Sequence, residues 1–139
     1  MAAYTSFAKL KVGQVFPDPP ASFQVTEALV EAYLDATGDT AEIYREKNSP
    51  RPVPPTLAAV YMLEALSHRR NPPGGIHTKQ HFTFHQPAYI GDTLATQVHI
   101  LETYVKKGRN YVVMKIVTHN QKGALVTTGV ITRIWGKEA

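Results

Sequence analysis

Asp39 and Tyr44 are the two residues of this 139-residue chain whose types and spacing most suggest chemistry. They stand five positions apart within residues 38–44. A carboxylate can move protons together with a suitable partner, but a phenol, with an unperturbed pKa of about 10, is a poor proton shuttle near neutral pH. Turn propensities alone favour a structural Asp39, because aspartate is common in turns. The segment therefore leaves open whether this chain performs chemistry or shapes a site for another subunit.

A helix and a loop are expected on the two sides of this segment. Thr26 is a good N-cap for a helix whose apolar residues recur on one face, and Gly38 suits the left-handed residue that ends it. The proline-studded residues 45–55 predict a long irregular loop, and such loops are often functional. Pro55 then suits the first turn of a second helix over residues 55–67. Most of that helix is apolar, which predicts burial on several sides.

Strands are expected from the alternation and the β-branched composition beyond residue 75. Four strands with short polar turns predict an antiparallel meander, and two short extended pieces flank a proline-rich turn near the N-terminus. Helix 55–67 would cover one face of the sheet, which gives a single α+β domain over residues 1–139. The expected extended segments are residues 12–16, 21–25, 77–85, 93–103, 111–119 and 125–135.

Three histidines at a regular spacing suggest a metal site at first sight. His77, His81 and His85 lie in the strand-like segment, where residues four apart are separated by about 13 Å. One ion cannot reach all three at that separation. We therefore expect a solvated or interface strand face there, and no metal site.

The net charge of +4 and the pI near 9.4 would suit an anionic ligand such as a nucleotide, CoA or nucleic acid. The basic residues are scattered, whereas a nucleic-acid-binding protein more often has a dense basic stripe. Nucleic acid is therefore disfavoured as a partner. The short clusters that could meet the phosphates of CoA, or could simply be solvated, are Arg69, Arg70, Lys106, Lys107 and Arg109.

Several classes of protein and site are excluded or disfavoured by composition. The chain has no cysteine, which excludes disulfides, thiolate metal sites and cysteine nucleophiles. Its first residues lack the pattern of a signal peptide, and no apolar stretch approaches the ~20 residues that span a membrane. We therefore expect a cytoplasmic protein without a membrane partner.

Three segments, taken in order, resemble the MaoC-like dehydratase and (R)-specific enoyl-CoA hydratase family. They are residues 36–44, residues 53–57 and residues 77–94, the last ending in a Pro…Gly-Asp bend. The likeness runs from about Val12 to Trp135. The resemblance implies a single hot-dog fold, in which a curved antiparallel sheet wraps a central helix at about residues 55–67. It also implies a homodimer or a heterodimer with a second MaoC-like subunit.

Active members of the family add water to trans-2-enoyl thioesters to give (R)-3-hydroxyacyl thioesters, or reverse this, with an Asp–His pair. Asp39 matches the family's aspartate, but Tyr44 stands in place of the histidine, and Ala41 and Glu42 replace Asn-Pro. A tyrosine at this place is common in the N-terminal-type domains of the family. Those domains tend to be non-catalytic halves that shape the acyl tunnel while the other half performs the chemistry.

The resemblance also assigns the start of the central helix to the substrate. Backbone N–H groups at a helix start can polarise a thioester carbonyl, and here Thr56 and Leu57 are the candidate donors, because Pro54 and Pro55 have no N–H. No protein-bound cofactor is expected, since the acyl-CoA or acyl carrier protein thioester is itself the substrate. The residues expected to line the acyl pocket are Val53, Pro54, Pro55, Thr56 and Leu57.

Three functional hypotheses follow. The chain is the catalytically degenerate, acyl-binding subunit of a heteromeric hydratase or dehydratase. Alternatively, it is a homodimeric hydratase or thioesterase that uses Asp39 with Tyr44. In the third reading it is a hot-dog protein that binds acyl-CoA without turnover.

Overall fold

The computed structural model describes residues 3–47 and 50–137. Within them a long antiparallel sheet is accompanied by short helical elements. A 3-10 turn at Phe7–Lys9 precedes the first strand, and a second one occupies Glu42–Tyr44. The strands and the first helix are β1 (Val15–Gln24), α1 (Glu27–Thr37), β2 (Ile76–Phe84), β3 (Thr93–Lys106), β4 (Arg109–His119) and β5 (Leu125–Trp135).

The five strands form one antiparallel sheet in the order β1-β3-β4-β5-β2. The predicted meander is therefore confirmed for β3, β4 and β5 and is wrong for β2, which pairs with β5. The physical reason lies in the segment between β2 and β3, which is engaged elsewhere. Val53 N–H donates to the carbonyl of Ala88, and Ile90 N–H donates to the carbonyl of Arg51. This segment therefore crosses the end of the sheet and does not form a hairpin.

Strand β1 replaces the two short extended pieces expected near the N-terminus. It is one strand whose pairing with β3 shifts register between Phe16 and Ala21. Pro17, Pro19 and Pro20 fall in that interval and have no N–H to donate to a neighbouring strand. The prolines thus interrupt the ladder without ending the strand.

Helix α1 begins and ends as the sequence predicts. The hydroxyl of Thr26 accepts a hydrogen bond from Leu29 N–H at 3.2 Å, which caps the start. Gly38 ends the helix with φ of 68°, a left-handed conformation that glycine adopts at little cost. Val30 and Leu34 form its buried face, so the helix packs against the core and delivers Asp39 to the following loop.

The predicted central helix is present as three consecutive segments. A 3-10 turn at Pro55–Leu57 leads into α2 (Ala58–Tyr61), and α3 (Leu63–Leu66) follows. Met62 joins the last two, since its N–H donates to the carbonyl of Ala58 and its carbonyl accepts from Leu66 N–H. We call the whole run the central helix.

Two apolar clusters lie between the central helix and the sheet. One surrounds the second half of the helix and includes Trp135 at the end of β5. The other joins α1 to the first half of the helix and to β5. Phe82 packs against both clusters, and its ring lies 3.1 Å from the place that a Cβ on Gly129 would occupy. The absence of a side chain at Gly129 therefore lets this ring lie across the sheet.

Candidate acyl-binding site

An apolar cavity of about 330 Å³ opens where the loop before the central helix meets the end of β2 and the start of β5. Its volume is at the lower end of the range that small-molecule sites occupy. No aspartate, glutamate, lysine or arginine is among the described residues that line it. The lining residues are Ile43, Tyr44, Pro52, Val53, Pro54, Pro55, Tyr61, Phe84, His85, Gln86, Pro87, Ala88, Val126 and Thr127.

Asp39 and Tyr44 are placed differently relative to this cavity. Tyr44 forms part of its wall, whereas Asp39 is outside the lining. The Asp39 carboxylate accepts a hydrogen bond from Ala41 N–H at 2.9 Å, a side-chain turn of the kind that aspartate makes after helices. The structure therefore shows a structural contact for Asp39. No hydrogen bond joins it to Tyr44 within the described part of the chain.

Arg51 fixes the loop that carries Tyr44. Its guanidinium is 6% exposed and donates to the Tyr44 carbonyl at 2.7 Å through Nε. The Nη groups reach the carboxylates of Glu31 at 2.8 Å and of Glu27 at 3.4 Å. Arg45 adds a weaker link from the same loop, donating to the carbonyl of Asp39 at 2.7 Å. The acidic face of α1 thus holds the wall of the cavity in place.

The long loop predicted over residues 45–55 is therefore less irregular than its composition suggests. Pro52 forms an isolated bridge with Tyr89, beside the Val53–Ala88 hydrogen bond. Residues 48 and 49 of this loop lie outside the described residues. Residues 51–53 lie along the segment after β2, and this pairing closes one side of the cavity.

The pairing with Arg51 predicts a pH-dependent contribution to stability. The hydrogen bond from Arg51, together with its charge, lowers the pKa of the Glu31 carboxyl below its ordinary value of 4.5. A lowered folded-state pKa contributes stability above pH 4.5 that is lost as the pH falls through the folded value. We expect the stability advantage of the wild type over Glu31→Gln to be present at pH 7 and to shrink as the pH falls below 4.5. Urea unfolding across this pH range measures it, and an advantage that grows in acid would contradict it.

Around the start of the central helix, three of the five residues expected to line the acyl pocket do so. Val53, Pro54 and Pro55 line it, whereas Leu57 is fully buried in the core and Thr56 is exposed. The N–H of Leu57 donates to the Pro54 carbonyl at 3.0 Å. The hydroxyl of Thr56 lies 2.7 Å from that of Tyr33. The oxyanion-donor role of Thr56 and Leu57 stays a prediction.

The sequence offered no histidine close to Tyr44, yet the fold brings His85 to the edge of the cavity. Its Nε2 lies 3.1 Å from the hydroxyl of Thr128. His85 is itself one of the lining residues of the cavity. Among the described residues, no hydrogen bond joins its imidazole to Asp39 or to Tyr44, so the Asp–His pair of the resembling family is not reproduced.

Tyr61 and Thr127 are site residues that the sequence reading missed. Their hydroxyl oxygens are 2.6 Å apart, and both side chains are buried in the cavity wall. Burial raises the pKa of the Tyr61 phenol, so it keeps its proton near neutral pH. A hydroxyl within an otherwise apolar stretch of the central helix was the available signal for Tyr61. Thr127 had no such signal, since threonine is common in strands.

The basic residues expected to meet CoA lie far from the cavity within one chain. Arg69 follows the end of the central helix, about 20 Å along it from Pro55, and its guanidinium lies over the ring of Phe16. Arg70 stacks on Tyr4. Lys106, Lys107 and Arg109 form the tip of the β3–β4 hairpin, near the same end of the molecule. Their contact with CoA phosphates stays a prediction.

Arg133 lies at the same end of the molecule as Arg69 and Arg70, and we call this region the basic end. Arg133 borders a crevice together with Arg69 and Arg70, and its Nε is buried with no hydrogen-bond partner among the described residues. Burial lowers the pKa of Arg133. Burial, followed by the charge of Arg133, also lowers the pKa of His77 on the neighbouring strand.

Neither a metal-binding cluster nor a membrane-spanning helix is present within residues 3–47 and 50–137. No three side chains of histidine, cysteine, aspartate or glutamate come together there in a way that could hold a metal ion. His77 and His81 lie on β2, as the sequence indicated, and His85 immediately follows it. No helix in this described part is both long enough and apolar enough to cross a membrane. The cytoplasmic location stays a prediction.

Comparison with known proteins decides the family. The family model described as the FAS1-like dehydratase domain region matches residues 11–129, which is most of the chain. The chain belongs to this FAS1-like dehydratase family. A UPF0336 protein from Saccharopolyspora erythraea is similar to this chain along most of its length. The two sequences are 23% identical over 88% of this chain and 87% of that protein.

Solved structures identify the fold of this chain. The unliganded R-hydratase PhaJ1 from Pseudomonas aeruginosa has a TM-score of 0.81 at 22% identity, over 97% of this chain and 88% of that one. A chain of the C-terminally truncated HadBC complex, a 3R-hydroxyacyl-ACP dehydratase from Mycobacterium tuberculosis, has a TM-score of 0.70 at 20% identity, over 88% and 96%. The predicted resemblance to the MaoC-like hydratases and the predicted hot-dog fold are both confirmed.

Proposed function

We propose that this chain is the acyl-binding, catalytically degenerate subunit of a heteromeric enoyl-thioester hydratase or 3-hydroxyacyl-thioester dehydratase. One observation carries the proposal: Tyr44 stands in the wall of the apolar cavity, and the imidazole at its border, that of His85, is hydrogen-bonded to Thr128 and not to Asp39. A phenol is a much poorer proton shuttle than an imidazole at neutral pH. The cavity is thus suited to hold an acyl chain, and the proton transfers fall to another subunit.

The second subunit is proposed to pair with the free edge of β2. An uncovered strand edge presents unpaired N–H and C=O groups and is a ready template for another strand. The opposite edge strand, β1, contains Pro17, Pro19 and Pro20, which oppose such pairing. Strand β2 contains no proline and exposes Ile76 and Phe84. We therefore favour β2 as the strand that meets a second MaoC-like subunit.

The anionic part of CoA is proposed to meet the basic end of the molecule. Arg69, Arg70 and Arg133 border one crevice, and Arg109 borders another. If the acyl chain lies in the cavity of the same protomer, the CoA part must extend along the ~20 Å length of the central helix before its phosphates reach these residues. The equivalent residues of a second subunit offer an alternative route.

An enoyl-CoA hydration assay tests this function. The purified chain alone is expected to show no turnover with short or long trans-2-enoyl-CoA substrates. Turnover is expected once a MaoC-like subunit with an intact Asp–His pair is co-purified with it. The control is Asp39→Asn, which keeps an oxygen to accept the Ala41 N–H bond and so leaves the turn intact.

Each other outcome selects a different function. Turnover by the isolated chain that disappears in Asp39→Asn would contradict the degenerate role and indicate a homodimeric hydratase that uses Asp39 with Tyr44. Hydrolysis of acyl-CoA that depends on Asp39 would indicate a thioesterase. Binding of acyl-CoA with no turnover, whichever MaoC-like partner is added, would indicate a protein that only binds acyl-CoA.

A further inference from the structure

The Tyr61–Thr127 pair is a buried polar point in an otherwise largely apolar cavity wall. The side chains are 3% and 4% exposed, and both border the cavity. Tyr61 projects from the central helix and Thr127 from β5, so the pair bridges the two layers of the fold. The ring of Tyr61 also packs against Phe23 at a centroid distance of 6.0 Å. A phenylalanine would make the same ring contact, so packing alone does not require the phenol oxygen.

One hydroxyl proton of the Tyr61–Thr127 pair has no acceptor among the described residues. Each hydroxyl has one proton to donate and two lone pairs to accept with. The bond of 2.6 Å between the oxygens uses one of the two protons. Among the described residues neither oxygen has another hydrogen-bond partner, so one O–H is left without an acceptor from the protein. A buried donor without an acceptor is unfavourable, which favours an oxygen supplied from the cavity.

A second buried hydroxyl pair, Thr96–Thr118, differs from the Tyr61–Thr127 pair in its position relative to the cavity. The hydroxyls of Thr96 and Thr118 lie 2.8 Å apart and are buried between β3 and β4. Neither residue lines the cavity, and such cross-strand threonine pairs are ordinary sheet contacts. Of these two hydroxyl pairs, the Tyr61–Thr127 pair is therefore the one placed to offer its spare proton to a molecule in the cavity.

We propose that the Tyr61–Thr127 pair donates a hydrogen bond to an oxygen carried by the acyl chain itself. The preferred ligand is then an acyl thioester that carries a keto or hydroxyl oxygen on its acyl chain. This inference rests on the proposed acyl-binding function and specifies its ligand class. A site that hydrogen-bonds a ligand oxygen discriminates against the analogue that lacks it, because its own polar group is then left unpaired.

Calorimetric binding of matched acyl-CoA probes tests the inference. Hexanoyl-CoA is compared with 4-oxohexanoyl-CoA, 5-oxohexanoyl-CoA and 6-hydroxyhexanoyl-CoA, which have the same number of acyl carbons. We expect at least one oxygenated probe to bind about tenfold more tightly than hexanoyl-CoA, as one additional hydrogen bond predicts. In the double variant Tyr61→Phe/Thr127→Val that preference is expected to vanish, with hexanoyl-CoA bound as well as before.

The controls separate this inference from the proposed function. Thr96→Val removes a buried hydroxyl away from the cavity and is expected to leave the preference unchanged. Tyr61→Phe alone keeps the ring packing and provides a folded variant if the double variant is unstable; its preference is expected to fall. Equal binding of all four probes, a preference that persists in the folded double variant, or a preference that is undiminished in the folded Tyr61→Phe variant overturns the inference and leaves acyl binding standing. Failure of every probe to bind overturns the proposed function as well.

Discussion

Replacing Arg51 with methionine is expected to lower the free energy of unfolding by about 2–3 kcal/mol. The guanidinium is almost fully buried and links the Tyr44 carbonyl to two carboxylates of α1. Methionine would fill much of the volume but would leave that carbonyl without its donor, and loss of a partner in a buried network is among the larger single-residue effects. The loop that forms the cavity wall would loosen, so acyl-CoA affinity is expected to fall with stability.

Two further variants make the Arg51 measurement specific. Arg51→Lys keeps the positive charge but loses the forked arrangement of N–H donors. Its free energy of unfolding is expected to lie between those of the wild type and of Arg51→Met. Arg45→Met removes a more exposed arginine of the same loop, whose ion pairs at 3.6 and 3.9 Å are solvated. Its cost is expected to be below about 1 kcal/mol. Urea unfolding gives all three values; equal losses for Arg45→Met and Arg51→Met would contradict the special role of Arg51.

Filling the cavity is expected to abolish most acyl binding without unfolding the protein. Ala88 is buried in the cavity wall. Ala88→Leu would direct added carbons into empty space of about 330 Å³, where the penalty for overpacking a filled core does not apply in full. We expect acyl-CoA affinity to fall by at least about tenfold, or ~1.4 kcal/mol, while the melting temperature changes little.

A matched substitution away from the cavity controls for the added bulk. Ala59 is exposed on the central helix, and Ala59→Leu adds the same atoms outside the cavity. The acyl-CoA affinity of Ala59→Leu, measured by calorimetry, is expected to equal that of the wild type. Unchanged affinity in a folded Ala88→Leu variant would show that the acyl chain binds elsewhere.

Much of the fold could be predicted from sequence because its signals are local. The N-cap at Thr26 and the left-handed end at Gly38 depend on residues within one turn, and both are confirmed. The bend before β3 is similar: Asp92 accepts from Tyr89 N–H, and Gly91 has φ of 99°. Alternation also revealed the strands, since its period of two is set by the strand itself.

Strand order was decided only by the tertiary structure. Short polar turns correctly predicted that β3, β4 and β5 are neighbours, because hairpins bring adjacent strands together. No local signal stated that β2 would join β5 at the far edge. That choice depends on the segment after β2 pairing with the loop before the central helix, through contacts such as Val53 to Ala88.

The candidate site divides in the same way. The sequence by itself determined that Asp39 follows a helix, that Tyr44 stands where the resembling family has histidine, and that a proline-rich loop enters the central helix. Only the tertiary structure decided that Tyr44 lines a cavity, that Arg51 is buried against α1, and that Tyr61 meets Thr127. The physical reason is distance along the chain: Tyr61 and Thr127 are separated by 66 residues, and a contact across that separation exists only once helix and sheet have packed.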